Sequence, residues 1–431
     1  MKGIEILPTV LKGKVKAPPS KSLSHRAIIA SGLCNGLSRI ENIILSQDIL
    51  HTCNGLKTLG MDIDLQKSGK EDKYNLRIRG NLALELRGYT IDCGESGSTL
   101  RFLLPLATLT GKEITFRGRG RLVKRPLEPY YKIFQEQNIF YKTTSGGLPI
   151  SIRGILKPGT FKIAGDISSQ FITGLLFVLP TLQEDSRIYI VGNLESKAYI
   201  DLTIDVLKEF GIEIDNKEYK EFFIRGNQTY QPINYIVEGD FSQSAFWLVA
   251  GLLGGEVKTT GLNINSSQGD KKIIDLIKRM NGDIAIGKEE ITTKASLTKG
   301  IIIDGSQYPD LVPILAVLGS LSKGTTKIIK GKRLRLKESD RLQAIATQLN
   351  KLGAKVIELE EGLIIEGVDN LKGGVVDCYN DHRIAMALAI ASIKSTQPII
   401  INNKDVVNKS YPGFWQDFTR LGGRINEGNM G

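Results

Sequence analysis

The 431-residue chain is 41% hydrophobic and 24% charged, with a formal net charge of +11. Such a composition excludes a disordered or fibrous protein, the length calls for more than one core, and the charge points to an anionic partner: nucleic acid, a membrane surface or small acidic substrates. Only 7% of residues are aromatic, so stacking platforms for single-stranded nucleic acid are poorly supplied.

The first twenty residues contain no apolar core followed by a small-residue cleavage site. Apolar runs such as "FITGLLFVLP" fall short of the roughly 20 residues that span a bilayer. A cytoplasmic location is expected. Cys34, Cys53, Cys93 and Cys378 lie far apart and form no C-x-x-C pair, which fits buried thiols in a reducing compartment and gives no zinc site.

Along the chain, one pattern recurs six times: a polar turn with Ser, Gly or Asp, then a small-and-apolar helical run. In order these are "PPSKSLSHRAIIASG" from Pro18, "DCGESGSTLRFLLPLAT" from Asp92, "AGDISSQFITGLLFVLP" from Ala164, "EGDFSQSAFWLVAGLL" from Glu238, "DGSQYPDLVPILAVLGS" from Asp304 and "CYNDHRIAMALAIAS" from Cys378. A second phrase keeps step with it, an amphipathic helix closed by glycine or asparagine and followed by a short strand. Its copies are "LKTLGMDIDL", "FQEQNIFYKT", "LKEFGIEIDN", "IKRMNGDIAI", "LNKLGAKVIE" and "FTRLGGRINE". Each unit reads as strand–helix–strand–helix–strand, with hairpin signals such as "KSGKEDKYNLRI" adding strands. Six units divide into two domains of three.

Helices that are apolar nearly all round belong inside their domain, so only their polar amino-terminal ends reach a surface. Such ends offer free N–H groups and the positive end of the helix dipole to anions. Parallel helices would gather several of these ends on one face.

The polar turns differ in what they offer. At the first, Lys21, Ser22 and Arg26 can grip oxyanions, although a capped helix start explains them as well. "SGSTLR" allows a backbone approach at Gly97, and Ser168, Ser169 and Gln170 offer two hydroxyls and an amide. Two basic runs, "FRGRGRLVKRPLEP" with Arg125 and "GKRLRLKESDRLQ" with Arg333, Lys337 and Arg341, suggest a nucleic-acid patch at first sight. Glu338 and Asp340 among the cations of the second run suit proton transfer better. Asp310, opening an apolar run, fits a general base or a simple N-cap. "NDHR" puts Arg383 at the sixth start, and Lys409 lies in "VVNKSYPGFW". His25, His51 and His382 show no metal spacing and read as structural.

Taken in order, "PPSKSLSHR", "ESGSTLR", "RLVKRP", "SSQF", "ESKAYIDLT", "PDL", "LRLKESDRL", "NDHRIAMA" and "NKSYPGF" resemble the 5-enolpyruvylshikimate-3-phosphate synthase family over essentially the whole chain. The resemblance implies an α/β fold of two similar domains. Each would hold three βαβαββ units around buried parallel helices, an inside-out α/β barrel, with the active site in the interdomain cleft. It implies one domain over 15–234, mainly the shikimate 3-phosphate site, and a second over 1–14 with 235–431. The implied reaction moves the enolpyruvyl group of phosphoenolpyruvate to the 5-hydroxyl of shikimate 3-phosphate, by addition and elimination, without metal or cofactor.

Carried over residue by residue, Lys21, Ser22, Arg26, Ser168, Ser169, Gln170, Ser196 and Tyr199 match the family's shikimate 3-phosphate contacts, with Asp310 and Lys337 at its ring hydroxyls. Lys21, Gly97, Arg125, Gln170, Arg341, Arg383 and Lys409 match the phosphoenolpyruvate site. Asp310 matches the base for the 5-hydroxyl, and Glu338 or Lys21 the donor to the methylene carbon. The chain departs from the family's usual pattern at Glu95 and Phe102, where Asn and Pro are common, and at Arg333, where some members have Asn.

Two other functions share features with this sequence. The sister family acting on UDP-N-acetylglucosamine carries a Cys in a mobile loop, and the loop candidate here, "GRGRLVKRP", has none. An RNA-binding or RNA-end-processing protein would share the repeats and the basic charge, but sparse aromatics and cations scattered over six turns speak against it. Polar exposed-looking helices favour a monomer, with small-molecule substrates as its only partners.

Overall fold

The computed structural model describes residues 3–68 and 73–426. Among them are twelve α-helices: α1 (Lys21–Leu33), α2 (Gln47–Thr58), α3 (Gly97–Thr108), α4 (Glu128–Glu136), α5 (Ser169–Val178), α6 (Lys197–Glu209), α7 (Phe241–Gly254), α8 (Ile273–Arg279), α9 (Val312–Ser320), α10 (Arg341–Lys351), α11 (His382–Ala391) and α12 (Phe414–Arg420). The odd-numbered helices are the six polar-turn copies and the even-numbered ones the six amphipathic copies. α1, α3, α5, α7, α9 and α11 are buried over nearly every residue. A helix without a polar stripe has no face to give to water, so it sits inside.

The even-numbered helices stop by one device. Gly60, Asn138, Gly211, Asn281, Gly353 and Gly422 all take positive φ. In each case the following N–H bonds back to a carbonyl five residues earlier, as Met61 does to Leu56 at 3.1 Å and Ile212 to Leu207 at 2.9 Å. This left-handed closure turns the chain straight into the next strand.

Among the described residues, six four-stranded sheets follow one order. In the sheet around α3, strands Thr90–Asp92 and Ile114–Arg117 pair in parallel, Ile91 opposite Phe116, with α3 crossing between them. Gly147–Arg153 then pairs antiparallel with Ile114–Arg117, and Phe140–Thr144 with Gly147–Arg153. Two strands come from distant sequence. Lys12–Lys16 pairs in parallel with Glu256–Thr260 in the sheet beside α7, and Asn234–Ile236 pairs in parallel with Gly36–Ile43 beside α1. In addition, Ile4–Leu7 lies between Ile399–Ile401 and Arg424–Asn426.

These pairings divide the chain into two compact units, Pro19–Val237 and Met1–Pro18 with Glu238–Gly431. Each has three of the sheets and its own hydrophobic core. The boundaries fall at 18/19 and 237/238, rather than 14/15 and 234/235, because strand Lys12–Lys16 runs on to its pairing with Glu256–Thr260 and strand Asn234–Ile236 belongs with α1. The hairpin expected in "KSGKEDKYNLRI" joins Asp62–Lys67 to Tyr74–Gly80, with Lys67 opposite Tyr74. Its turn at 69–72 lies outside the described residues. No described helix is long and apolar enough to cross a membrane.

Candidate active site

In the unit Pro19–Val237, hydrogen bonds tie several helix starts together. Ser20, not Lys21 or Ser22, caps α1, accepting from Leu23 N. That leaves Lys21 to reach Asp48 of α2, Nζ to Oδ2 at 2.7 Å. Arg26 is buried and donates to Thr203 Oγ1 at 2.9 Å and to the carbonyls of Ser22 and Tyr199, both at 2.8 Å. Two of its five N–H groups therefore join α1 to α6, and a third bonds back within α1. Its guanidinium also lies 5.5 Å above the Phe102 ring. Phe102 thus works as a buried floor for Arg26. Ser196, at the start of α6, is buried with φ +54, and Tyr199 follows one turn on.

α3 and α5 meet through Gln170. Its amide oxygen accepts from Arg101 at 2.8 Å and its nitrogen donates to Ser98 Oγ at 3.0 Å. Arg101 also donates to the carbonyl of Pro126, the residue after Arg125, and sits 4.8 Å above the Phe171 ring. Arg125 itself lies against Gly97, where a Cβ would stand 2.7 Å from its Nη1. Ser168 caps α5 by accepting from Gln170 N, and Ser169 is the first buried residue of the helix. Glu95 faces Gly120 of the "GRGRLVKRP" turn, with a Cβ there 2.6 Å from its Oε2.

Below this set runs a line of short side chains. His25 Nδ1 and Thr52 Oγ1 are 2.8 Å apart, Thr52 and Thr99 are 2.7 Å apart, and Thr99 donates to Ser96, the cap of α3, at 2.7 Å. Burial, helped by Lys21 and Arg26, holds the His25 imidazole well below its usual range. It is a neutral structural member of the first helix start.

The second unit gathers charge at the starts of α9, α10 and α11. Asp310 does not cap α9, whose cap position is Leu311. Its carboxylate instead accepts from Arg341 Nη1 at 2.7 Å and Arg383 Nη2 at 3.2 Å. Arg341, 1% exposed, also donates to Glu338 Oε2 and, through Nε, to Asp381 Oδ2, each at 2.9 Å. Asp381 is fully buried, caps α11 and accepts from Ser339 at 3.0 Å. Arg383 extends to α7, donating to the carbonyl and hydroxyl of Ser242. Lys409, buried, donates to the Asn380 carbonyl at 2.7 Å, just ahead of that cap.

The electrostatics follow from this packing. Burial alone would raise the Asp310 carboxyl, but Arg383, Arg341 and Lys337 outweigh it and hold the group well below the carboxylate range. Burial pulls Lys337 down to about 8, with Arg341 and Arg333 pushing the same way and Asp310 opposing. An ammonium poised so close to neutrality changes charge readily when an anion arrives.

Several partners escaped the sequence reading. Asp48, Ser98, Arg101 and Asp381 fix Lys21, Gln170 and Arg341, each from another helix or its cap. Ser98 and Arg101 stood in the quoted "SGSTLR" and Asp381 in "NDHR", where only Gly97 and Arg383 were singled out. Arg335 of the second basic run is occupied structurally by Asp340 and Glu358. Among the described residues no group of three His, Cys, Asp or Glu could hold a metal ion. All four cysteines are buried thiols, and burial raises each of them.

Residues 7–418 match the family model described as EPSP synthase (3-phosphoshikimate 1-carboxyvinyltransferase). The chain is 57% identical to the 3-phosphoshikimate 1-carboxyvinyltransferase of Clostridium novyi and 53% identical to that of Clostridium kluyveri, covering 100% of both chains in each pair. Among solved structures, EPSP synthase from Acinetobacter baumannii superposes with a TM-score of 0.81 at 25% identity, over 99% of this chain and 100% of the other. The enolpyruvyl transferase NikO from Streptomyces tendae shares the fold, with a TM-score of 0.78 at 19% identity over 99% and 98% of the two chains.

Proposed function

The chain belongs to the EPSP synthase family, and from that premise we propose how its own residues transfer the enolpyruvyl group of phosphoenolpyruvate to the 5-hydroxyl of shikimate 3-phosphate. It is a transferase of the shikimate pathway, on the way to chorismate and the aromatic amino acids. The two substrates bring two phosphates and two carboxylates together. Cations and helix amino termini must offset that repulsion before any bond forms.

Shikimate 3-phosphate is assigned to Lys21, Ser22, Arg26, Ser168, Ser169, Gln170, Ser196 and Tyr199, with Asp310 and Lys337 at its ring hydroxyls. Phosphoenolpyruvate is assigned to Lys21, Gly97, Arg125, Gln170, Arg341, Arg383 and Lys409. Arginine suits these places because its planar fork matches carboxylate and phosphate oxygens two at a time. Gly97 has no side chain and so leaves room beside the Arg125 guanidinium.

The 5-hydroxyl oxygen attacks the central carbon of phosphoenolpyruvate as its proton passes to Asp310, and the methylene carbon takes a proton. Lys21 is assigned this delivery. The result is a tetrahedral intermediate bearing a methyl group. Glu338, a carboxylate beside Arg341, then removes a proton from that methyl as the C–O bond to phosphate breaks. The hydroxyl proton leaves with the phosphate, and solvent restores Lys21 and Glu338.

One observation carries the assignment: Asp310, Lys337, Glu338, Arg341 and Arg383 meet at the starts of α9 to α11, where an acceptor carboxylate is fixed between two guanidinium groups. Asp310→Asn should lower turnover by about 10²–10⁴-fold, the usual contribution of a positioned base. The direct test is phosphate release from shikimate 3-phosphate and phosphoenolpyruvate. No turnover, with activity on UDP-N-acetylglucosamine instead, would overturn the proposal. A cytoplasmic monomer is the setting we propose, resting on the four buried free thiols and the polar faces of the even-numbered helices.

A further inference from the structure

In the unit Pro19–Val237, the sheet beside α1 presents an unusual outer face. Side chains alternate along a strand, so Leu37 and Arg39, Arg77 and Arg79, and Asp62 and Asp64 all point to solvent. Register places Arg39 directly opposite Arg77, Arg77 opposite Asp64, and Arg79 opposite Asp62. Like charges facing one another across an antiparallel pair destabilise it.

The arginines do not relieve this by pairing. Among the described residues neither Arg77 nor Arg79 makes an ion pair or a side-chain hydrogen bond, and Asp64 makes none either. Asp62 is taken by Arg87 at 2.7 Å, and Arg39 has only an exposed contact with Glu41 at 3.5 Å. The face is also concave. Two adjoining cavities of about 400 and 440 Å³ share Leu37 and Arg77, the first lined also by Lys57, Arg79 and Arg87, the second by Arg39.

We propose that this face is a binding site for a small phosphate monoester bearing hydroxyl groups. Its phosphate sits between Arg39 and Arg77, where two guanidinium forks offer the donors that a dianion requires. Asp64, a carboxylate that accepts hydrogen bonds but cannot donate, takes a ligand hydroxyl. Carboxylates interleaved with the cations, and two local hollows in place of a continuous basic track, disfavour nucleic acid. None of these residues is assigned a role in the transfer reaction.

Calorimetric titration of the full chain with ribose 5-phosphate tests the site. Binding is expected, weakened by about tenfold or more in the Arg77→Ala, Arg79→Ala double variant, as for the loss of hydrogen bonds to charged groups. Phosphate release from the two transfer substrates should be unchanged in that variant. Asp64→Asn should tighten inorganic phosphate, by removing a negative charge, while tightening ribose 5-phosphate less. An independent reading comes from melting temperature: ribose 5-phosphate should raise that of the wild type but not that of the double variant. No binding at millimolar probe, equal affinity in the double variant, or an equal gain for both probes in Asp64→Asn would overturn the proposal. So would an RNA oligonucleotide that binds at physiological salt, is lost in the double variant and is not displaced by ribose 5-phosphate.

Discussion

The guanidinium of Arg125 lies directly over Gly97, so that a single methyl added at Gly97 would stand 2.7 Å from Nη1. The obstructing atom is the far end of a flexible side chain, whereas Gly97 opens a buried helix. Gly97→Ala should therefore keep the fold and displace Arg125. A phosphoenolpyruvate KM raised about tenfold, equivalent to ~1.4 kcal/mol, with the KM for shikimate 3-phosphate much less affected, is the expected outcome in steady-state kinetics. An unchanged phosphoenolpyruvate KM would remove this pair from that substrate.

Lys337 sets a pH limit. Its pKa near 8 means that the free protein loses this ammonium as the pH passes 8. The charged form is the one proposed to donate to the ring hydroxyl. Thus kcat/KM, which reports the free enzyme, should fall above about pH 8. Bound polyanions favour the ammonium, so the limb in kcat should lie at higher pH. Lys337→Arg keeps its charge throughout and should abolish the limb near 8. A limb that persists in that variant belongs to another group.

How far the chain could be read from its letters depended on the range of each interaction. The buried helices were legible because a run such as "DLVPILAVLGS" is apolar on every side, and only an interior position suits it. The closing residues Gly60 to Gly422 were legible because the left-handed turn is a local demand. Strands Lys12–Lys16 and Asn234–Ile236 were harder, since each finds its partner about 200 residues or more away in sequence, where no local pattern points. The same holds for the site. Lys21 and Arg341 announce themselves by charge, but Asp48 and Arg101 matter only through contacts that folding creates. "PPSKSLSHR" illustrates both sides: its cap is Ser20, and His25, read as structural from the sequence, is the buried end of a chain of hydroxyls whose other members lie in α2 and α3.

That chain makes a prediction about stability. The folded state keeps His25 neutral, whereas the unfolded chain takes up a proton near pH 6.5. Its contribution is thus complete above about pH 6.5 and is lost progressively as the pH falls below it. Thr52→Val would leave His25 Nδ1 without its partner and cost about 1–3 kcal/mol, read as a lower denaturation midpoint. Both substrate KM values should stay as they are. A fall in substrate affinity without a fall in stability would make His25 a binding residue.

The division of proton transfers between Lys21 and Glu338 can be resolved in time. Lys21 is held 2.7 Å from Asp48, and Glu338 is held 2.9 Å from Arg341, so each faces a fixed counter-charge. An ammonium gives a proton and a carboxylate takes one, which places Lys21 in the addition and Glu338 in the elimination. In rapid-quench single turnovers, Glu338→Gln should still form the tetrahedral intermediate and accumulate it, with breakdown slowed by about 10²–10⁴-fold. Lys21→Met should fail to form it. Since the Gln amide cannot accept the methyl proton, breakdown in Glu338→Gln should stay slow at every pH. An unchanged rate and profile would exclude Glu338 from proton transfer. Loss of intermediate formation in Glu338→Gln alone would reverse the two assignments.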